Sequence, residues 1–142
     1  QYANPANPDA HYLFTAQEII DDLPDVDMVV MGVGTGGTVT GVAKRLKEHN
    51  PNIQIIGVDP YGSILGGGTE IKSYLVEGIG YDFFPDVLDN QLINQYIKIN
   101  DKDSFLTARE LIRTEGLLVG GSSGSAMWSA LQVAKNLNSK QR

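Results

Sequence analysis

The chain has no cysteine and only two histidines among its 142 residues. Without thiols it can form neither disulfides nor thiolate metal sites. His11 and His49 are far apart in the sequence and are predicted to lie on the surface, so we expect no metal site. The chain also lacks a run of about 18 apolar residues, which a membrane-spanning helix requires.

Basic residues are scarce as well. The 11 Lys and Arg are outnumbered by 17 Asp and Glu, which gives a net charge of −6. An acidic surface argues against non-specific binding to nucleic acid or to acidic membranes. The apolar share of 42% is enough to bury the core of one domain. We expect a cytoplasmic protein, since the absence of cysteine fits a reducing compartment.

A glycine-rich segment, Gly32–Thr38, is the most informative part of the sequence. It follows the apolar run Val26–Met31, which is predicted to be a buried parallel strand. It precedes the amphipathic stretch Thr38–His49, which is predicted to be a helix. Glycines let the backbone approach a ligand, and free N–H groups at a helix start point at an anion. The segment therefore predicts a site for a phosphorylated small ligand.

The spacing of these glycines leaves three interpretations open. Gly32, Gly34 and Gly37 match the G-x-G-x-x-G pattern of dinucleotide sites. Asp59 lies at the end of the next predicted strand, where such folds place the acid that binds ribose. A different phosphate ligand and a purely structural turn are the alternatives, and an Asp before a proline is also typical of a turn.

The hydroxyls of Thr35 and Thr38 weigh against the dinucleotide. They lie inside the glycine turn and directly after it. A terminal phosphomonoester has three oxygens and a charge of about −1.5 to −2. Extra hydroxyl donors suit this group better than a bridging pyrophosphate.

The rest of the pattern predicts an α/β fold. Further buried strands are expected at Ile53–Val58, Gln95–Ile99 and Leu117–Val119. Thr15 and Glu18 form a capping box, which predicts a helix from Thr15 to Leu23. Two further helices are expected, one from Asp101 or Asp103 to Glu115 and one from Gly124 to Leu137. Residues 1–10 and 60–90 are predicted to be irregular because they are rich in Asn-Pro pairs and in glycine, respectively. Open α/β sheets bind ligands at the carboxyl ends of their strands.

Two further loops carry candidate ligand residues. In Gly120–Ser125, Ser122 is nearest to the predicted strand and is the better ligand candidate, while Ser123 and Ser125 are predicted to cap the last helix. In the other loop, residues 78–83, glycines flank an aromatic residue. That pattern predicts a mobile loop presenting Tyr81, and a tyrosine packed in the core is an equal alternative.

These segments together resemble the fold-type II enzymes that use pyridoxal 5′-phosphate, in the cysteine synthase/cystathionine β-synthase family. Gly34–Thr38 is similar to the phosphate loop of that family. Glu77–Phe83, with Tyr-Asp after Gly-Ile-Gly, is more typical of the cystathionine β-synthase branch. Asp59–Leu65 and Glu115–Ser122 also match, and the resemblance extends from Gln1 to about Leu137.

The resemblance implies a fold and a set of roles. The fold is a three-layer α/β/α arrangement around an open, mostly parallel sheet of the tryptophan synthase β type, with residues 1–142 as its larger, cofactor-holding lobe. Ser122 is implied to hydrogen-bond the pyridine nitrogen, and Gly78 and Tyr81 are implied to lie near the substrate. The cofactor phosphate is implied to be held by Gly34, Thr35, Gly36, Gly37 and Thr38.

The implied activity of the complete protein is a β-replacement that joins serine (or cysteine) to homocysteine and yields cystathionine, in a homodimer. The family's reactive lysine lies before the matched region. We therefore expect that none of the lysines here fills that role, that the chain is a piece of a larger polypeptide, and that it is inactive alone. The alternatives are a degenerate, non-catalytic copy of the lobe that serves as a scaffold and, with less support, a dinucleotide-binding oxidoreductase domain.

Overall fold

Three parallel strands form a sheet at the centre of the molecule. The computed structural model describes residues 1–142. The strands are β1 (Met28–Gly32), β2 (Gln54–Pro60) and β3 (Gln95–Ile99), in the order β1–β2–β3. Val29 lies opposite Ile55, and Val58 lies opposite Ile97. Because β2 is paired on both sides, it is buried along its length except at Gln54.

Helices cover both faces of this sheet. They are α1 (Ala6–Ala10), a π-helical turn (His11–Thr15), α2 (Ala16–Asp22), α3 (Gly37–His49), α4 (Asp101–Glu115) and α5 (Gly121–Ala134), with a short 3-10 turn at Asn90–Leu92. Consecutive side chains of a strand point to opposite faces. Ile55 accordingly belongs to the apolar cluster beneath α3, whereas Ile56 borders a cavity with Gln132 and Val133 of α5. The arrangement has three layers, and none of its helices has the length and apolar character to cross a membrane.

The main core lies between α3 and the sheet. Val39, Val42, Ala43 and Leu46 recur at helical spacing on one face of α3 and are at most 1% exposed. They pack with apolar residues of the N-terminal helices, the strands and their loops: Ala16, Ile20, Val26, Val33, Ile53, Ile55 and Leu65. Each fully buried Val, Leu or Ile contributes about 1.5–3 kcal/mol. This cluster therefore anchors the helix that begins at the glycine loop.

The N-terminal segment is helical from Ala6 onward. The predicted irregular stretch over residues 1–10 is therefore confirmed only for residues 1–5, and the predicted helix start at Thr15 is wrong. Pro5 is the N-cap of α1 and Pro8 lies in its first turn, where the missing N–H of proline is not needed. Thr15 has helical dihedral angles, and its side chain makes no capping hydrogen bond.

The predicted strand Leu117–Val119 does not form. Its one backbone hydrogen bond runs from the Leu117 N–H to the carbonyl of Leu111, and Leu118 is 90% exposed. A short apolar run becomes a strand only where a neighbouring strand offers its backbone groups. None of the three strands pairs with this segment.

Helix α5 begins three residues earlier than its sequence suggests. Gly120 is its N-cap, without a side-chain hydrogen bond, so the prediction that Ser123 and Ser125 cap this helix is wrong. Both serines lie inside the helix. Ser125 is fully buried, and its Oγ donates to the Oγ of Ser104 on α4 at 2.7 Å.

The predicted bounds of α4 are confirmed. Asn100 caps the helix instead of an aspartate, and its side-chain oxygen accepts from the Asp103 N–H at 2.9 Å. Gly116 ends the helix with a φ of 69°, a left-handed conformation that glycine adopts without strain.

Helices α4 and α5 approach closely because Gly124 has no side chain. A Cβ at this position would overlap the carbonyl oxygen of Ser104 and crowd the N–H of Ala108. We expect Gly124→Ala to lower the free energy of unfolding by about 1–3 kcal/mol, since over-packing forces the two backbones apart. Urea denaturation followed by circular dichroism measures this change.

Gly120→Ala is the matched control for that substitution. No heavy atom lies within 4 Å of a Cβ built at Gly120. We expect a loss below about 1 kcal/mol, which is the cost of a poorer N-cap. Equal stabilities for the two variants would contradict the close packing of α4 on α5.

Candidate functional site

The glycine loop joins β1 to α3 through one residue in the left-handed region. Gly36 has a φ of 89° and is the N-cap of α3. A Cβ on Gly36 would lie 2.5 Å from the Cβ of Leu88, so both the backbone conformation and the available space require glycine. The turn is closed by the Gly37 N–H, which donates to Thr35 Oγ1 at 3.4 Å.

Five backbone N–H groups at this turn have no acceptor within the protein. They belong to Gly34, Thr35, Gly36, Thr38 and Val39. The positive end of the α3 dipole lies at the same place. Unpaired N–H groups at a helix start form an anion site. The donor set, with the hydroxyls of Thr35 and Thr38 beside it, fits the three oxygens of a phosphate monoester.

A cavity of about 300 Å³ opens onto these donors. Its wall consists of the glycine loop together with Gln1, Val39, Gly78 and Tyr81. No lysine or arginine lines this cavity, so the attraction for an anion comes from backbone N–H groups and the helix dipole. Ligand pockets usually enclose about 300–1,000 Å³, so the space suits a small phosphate ester.

Gly78 connects this cavity to the second predicted ligand loop. The residue has a φ of 86°, and its carbonyl oxygen faces Gly34 so closely that a Cβ on Gly34 would lie 2.5 Å from it. On its other side, Ser122 Oγ is 3.9 Å from the position of a Cβ on Gly78. Gly78, Gly121 and Ser122 border an adjoining cavity of about 540 Å³. The phosphate loop and Ser122 therefore lie on either side of one glycine.

Most of the sequence-predicted site residues meet here. Those that border the 300 Å³ cavity are Gly34, Thr35, Gly36, Thr38, Gly78 and Tyr81. Ser122 borders the adjoining cavity, in the first turn of α5. Gly37 does not line either space. It is buried against the amide of Asn7, and its N–H is already bonded to Thr35.

Tyr81 lies in an aromatic cluster with Tyr2 and Phe83. The ring centroid of Tyr81 is 5.4 Å from that of Tyr2 and 5.2 Å from that of Phe83. The hydroxyls of Tyr2 and Tyr81 share a long hydrogen bond of 3.4 Å. This bond, with some burial, raises the pKa of Tyr81 to about 12. The Tyr81 phenol therefore keeps its proton throughout the neutral range.

Ser63 holds the backbone of Tyr81 in place. Its Oγ donates to the Tyr81 carbonyl and accepts from the Tyr81 N–H, both at 3.0 Å. Ser63 is buried, and its own carbonyl accepts from the ammonium of Lys98 at 2.7 Å. The matching segment Asp59–Leu65 contains Ser63, but nothing in the sequence indicated its role, because both of its contacts to Tyr81 reach across 18 positions.

Asp59 is not available as a ribose-binding acid. Its side chain is fully buried and forms an ion pair with Lys98, with 2.7 Å between Oδ2 and Nζ. The same oxygen accepts from the Gly66 N–H at 2.8 Å, while Oδ1 has no partner. The carboxylate therefore fastens the loop after β2 to β3. The turn-forming interpretation of Asp59 is incomplete as well, because the residue belongs to β2 itself.

His11 is half-buried beside the glycine loop, so its prediction as a surface residue is wrong. Its Nε2 is 3.1 Å from Thr38 Oγ1. Asn7 lies nearby, and its Nδ2 donates to Thr35 Oγ1 at 3.3 Å. The sequence did not predict the His11–Thr38 and Asn7–Thr35 contacts, because both depend on a helix that starts at Ala6. His49 is exposed as predicted.

Comparisons with known proteins place the chain in a family. Residues 1–142 match the family described as "Pyridoxal-phosphate dependent enzyme". The cystathionine beta-synthases of Dictyostelium discoideum and Rattus norvegicus are each 54% identical over the whole chain. The crystal structure of an O-acetylserine dependent cystathionine beta-synthase from Helicobacter pylori has a TM-score of 0.92 and 42% identity over 99% of the chain.

The chain spans only part of these relatives. It corresponds to 30% of the Dictyostelium protein and to 26% of the rat protein. It covers 46% of the Helicobacter structure.

The Asp59–Lys98 pair provides a test of how the site is supported. We expect Lys98→Met to lower the free energy of unfolding by about 3 kcal/mol, because it leaves a buried carboxylate without its counter-charge. Thermal and denaturant unfolding measure this change.

Lys72→Met is the matched control. Lys72 pairs with Glu70, but both side chains are more than half exposed, at 63% and 74%. We expect a change of at most about 1 kcal/mol, since exposed ion pairs contribute little. If Lys98→Met cost no more than Lys72→Met, the buried pair would not support the loop.

Proposed function

Because the chain belongs to the family of pyridoxal-phosphate dependent enzymes, we propose that it is the cofactor-holding lobe of a cystathionine β-synthase. The complete protein would join serine (or cysteine) to homocysteine by β-replacement and release cystathionine. The 54% identity to proteins of that name supports the proposal most strongly. The Tyr-Asp pair that follows Gly80 supports the same branch of the family.

The unpaired N–H groups around Gly36, with the hydroxyls of Thr35 and Thr38, are the proposed phosphate ligands. They are already oriented by α3 and need no rearrangement to donate. Pyridoxal phosphate, when bound, supplies the electron sink that elimination and replacement at the β-carbon of an amino acid require. The residues of this chain would hold, orient and electrostatically tune that group.

Ser122 is the proposed partner of the pyridine nitrogen. It is the second residue of α5, at the positive end of that helix dipole. A neutral hydroxyl in this place does not stabilise a protonated ring nitrogen as a carboxylate would. The positive end of the α5 dipole also disfavours protonation of that nitrogen. This environment favours β-elimination and replacement over reactions that need a stronger electron sink.

Tyr81 is the proposed substrate-facing residue, next to Gly78. Tyr81 borders the cavity, and its phenol keeps its proton at neutral pH, as an ordinary tyrosine does, with its pKa raised further to about 12. The hydroxyl can therefore donate a hydrogen bond to a bound amino acid. The clamp by Ser63 limits the movement of the Tyr81 backbone.

We propose that the reactive lysine belongs to another part of a longer polypeptide. No lysine borders the phosphate cavity. Lys98 is engaged by Asp59, Lys72 by Glu70, and Lys47 donates to Asn94. The homodimer and the cytoplasmic location expected from the sequence remain parts of this proposal.

The chain by itself is expected to be inactive. Residues 1–142 incubated with pyridoxal phosphate, serine and homocysteine should form no cystathionine above the level of the free cofactor, because the reactive lysine is missing. Mass spectrometry of the reaction mixture measures the product. Turnover by the isolated chain would contradict the proposed position of the lysine.

Two substitutions test the phosphate site in the complete polypeptide. Thr38→Val removes a hydroxyl donor, and Gly36→Asp adds a negative charge and blocks the left-handed turn. Hydrogen bonds to charged groups are worth about 1.5–3 kcal/mol, so we expect the double variant to lose at least about tenfold in cofactor affinity. The visible absorbance of the bound cofactor after desalting measures its content.

The exposed loop after β2 offers a matched control. Gly67 has a φ of 90°, almost the same as Gly36, and Thr69 is exposed nearby. Gly67→Asp with Thr69→Val should leave the cofactor content unchanged. Full cofactor content in the Thr38 and Gly36 variant would refute the phosphate assignment. A wild-type polypeptide that assembles without any cofactor would favour the non-catalytic scaffold instead.

A further inference from the structure

A π-helical turn interrupts the N-terminal helix beside the glycine loop. It spans His11–Thr15, between α1 and α2. Turns of this kind are rare and occur frequently at functional sites. Gly41 of α3 allows the close approach, because a Cβ there would overlap the Pro8 carbonyl and lie 2.9 Å from the Cβ of His11. The π turn thus brings the His11 ring against the start of α3.

Both ring nitrogens of His11 are engaged by threonine hydroxyls. Nδ1 is 3.0 Å from Thr15 Oγ1, four residues along the π turn. Nε2 is 3.1 Å from Thr38 Oγ1. Thr38 is exposed, so its hydroxyl can contact His11 and a bound phosphate at the same time.

A hydroxyl has a single proton, and the direction of the His11 bond decides where that proton points. A phosphate dianion only accepts hydrogen bonds, so Thr38 must keep its proton for the phosphate. His11 Nε2 must then donate to Thr38 Oγ1. A neutral imidazole carries one N–H, so Nδ1 becomes the acceptor for the Thr15 hydroxyl proton. The Thr15 hydroxyl can donate to Nδ1 and so accommodates this tautomer.

The other hydroxyl of the loop is arranged in the same way. Asn7 Nδ2 donates both to the Gln1 carbonyl at 2.8 Å and to Thr35 Oγ1 at 3.3 Å. A carbonyl can only accept, so this contact fixes the orientation of the amide. Thr35 Oγ1 also accepts from the Gly37 N–H, which leaves the Thr35 proton free. The N-terminal segment therefore places a donor beside Thr35 and a group able to donate beside Thr38.

We propose that His11 is a positioning residue for cofactor binding, which acts by orienting the Thr38 hydroxyl proton toward the phosphate. This inference rests on the proposed function, because it requires a phosphate in the loop. In this arrangement Thr15 donates a hydrogen bond to His11, His11 donates to Thr38, and Thr38 donates to the phosphate. The effect of His11 therefore depends on the phosphate and on Thr38.

The test compares pyridoxal 5′-phosphate with pyridoxal, which lacks the phosphate, in the complete polypeptide. His11→Phe keeps a planar ring and removes both nitrogens. We expect it to weaken pyridoxal phosphate binding about five- to tenfold, the size of one lost hydrogen bond, and to change pyridoxal binding less than about twofold. His11→Gln places an amide N–H near the position of Nε2 and should restore most of the affinity. His49→Phe, at the exposed histidine, should have no effect.

A double-mutant cycle separates positioning from general stability. In a Thr38→Val background, His11→Phe should weaken pyridoxal phosphate binding no further, because the hydroxyl that it orients is gone. The ³¹P chemical shift of the bound phosphate should move in His11→Phe and stay unchanged in His49→Phe. If His11→Phe does not fold, Thr15→Val serves instead, since it removes the proton donor to Nδ1 and keeps the ring.

Three results would overturn the inference. They are equal losses for pyridoxal phosphate and pyridoxal, an undiminished loss in the Thr38→Val background, and wild-type affinity in both His11→Phe and Thr15→Val. A wild-type polypeptide that binds no pyridoxal phosphate would instead refute the proposed function. The two failures are therefore distinguishable.

Discussion

The unpaired N–H groups at the start of α3 are the feature on which the rest of this structure depends. They remain unpaired because Gly36 takes a left-handed conformation and supplies no capping side chain. Their direction is set by α3, which is anchored by the fully buried Val42 and Leu46. A hydrophobic core on one side of the helix thus maintains a candidate anion site at its end. The cost of leaving these donors unpaired is offset when an anion binds.

The second half of the site is held by polar contacts between loops. The buried pair of Asp59 and Lys98 secures the chain after β2, and Lys98 also binds the carbonyl of Ser63. Ser63 in turn fixes both backbone groups of Tyr81. Gly78 lies between the glycine loop and Ser122, and its carbonyl can approach Gly34 this closely because Gly34 has no side chain. A loop without helix or strand is therefore ordered by the strands beneath it.

Sequence reasoning succeeded where a local pattern decides the structure and failed where a distant partner does. The strand Gln95–Ile99 and the helix ending at Gly116 follow from apolar periodicity and from the left-handed C-cap. The apolar run Leu117–Val119 reads as a strand, but strand formation requires a neighbour that only the assembled sheet can provide. The N-terminal helix was missed because Pro5 and Pro8 suggest a loop when they stand alone. In the first turn of a helix they are tolerated.

The sequence by itself determined the glycine loop, its glycines and hydroxyls, and the α/β class, because each depends on residues adjacent in the chain. Only the tertiary structure decided that Gly78 separates this loop from Ser122 and that Asp59 is neutralised by Lys98. It also decided that His11 reaches Thr38, across 27 positions of sequence. Backbone conformation is local and can be inferred from neighbouring residues, whereas side-chain contacts between elements exist only once helices and sheet have packed.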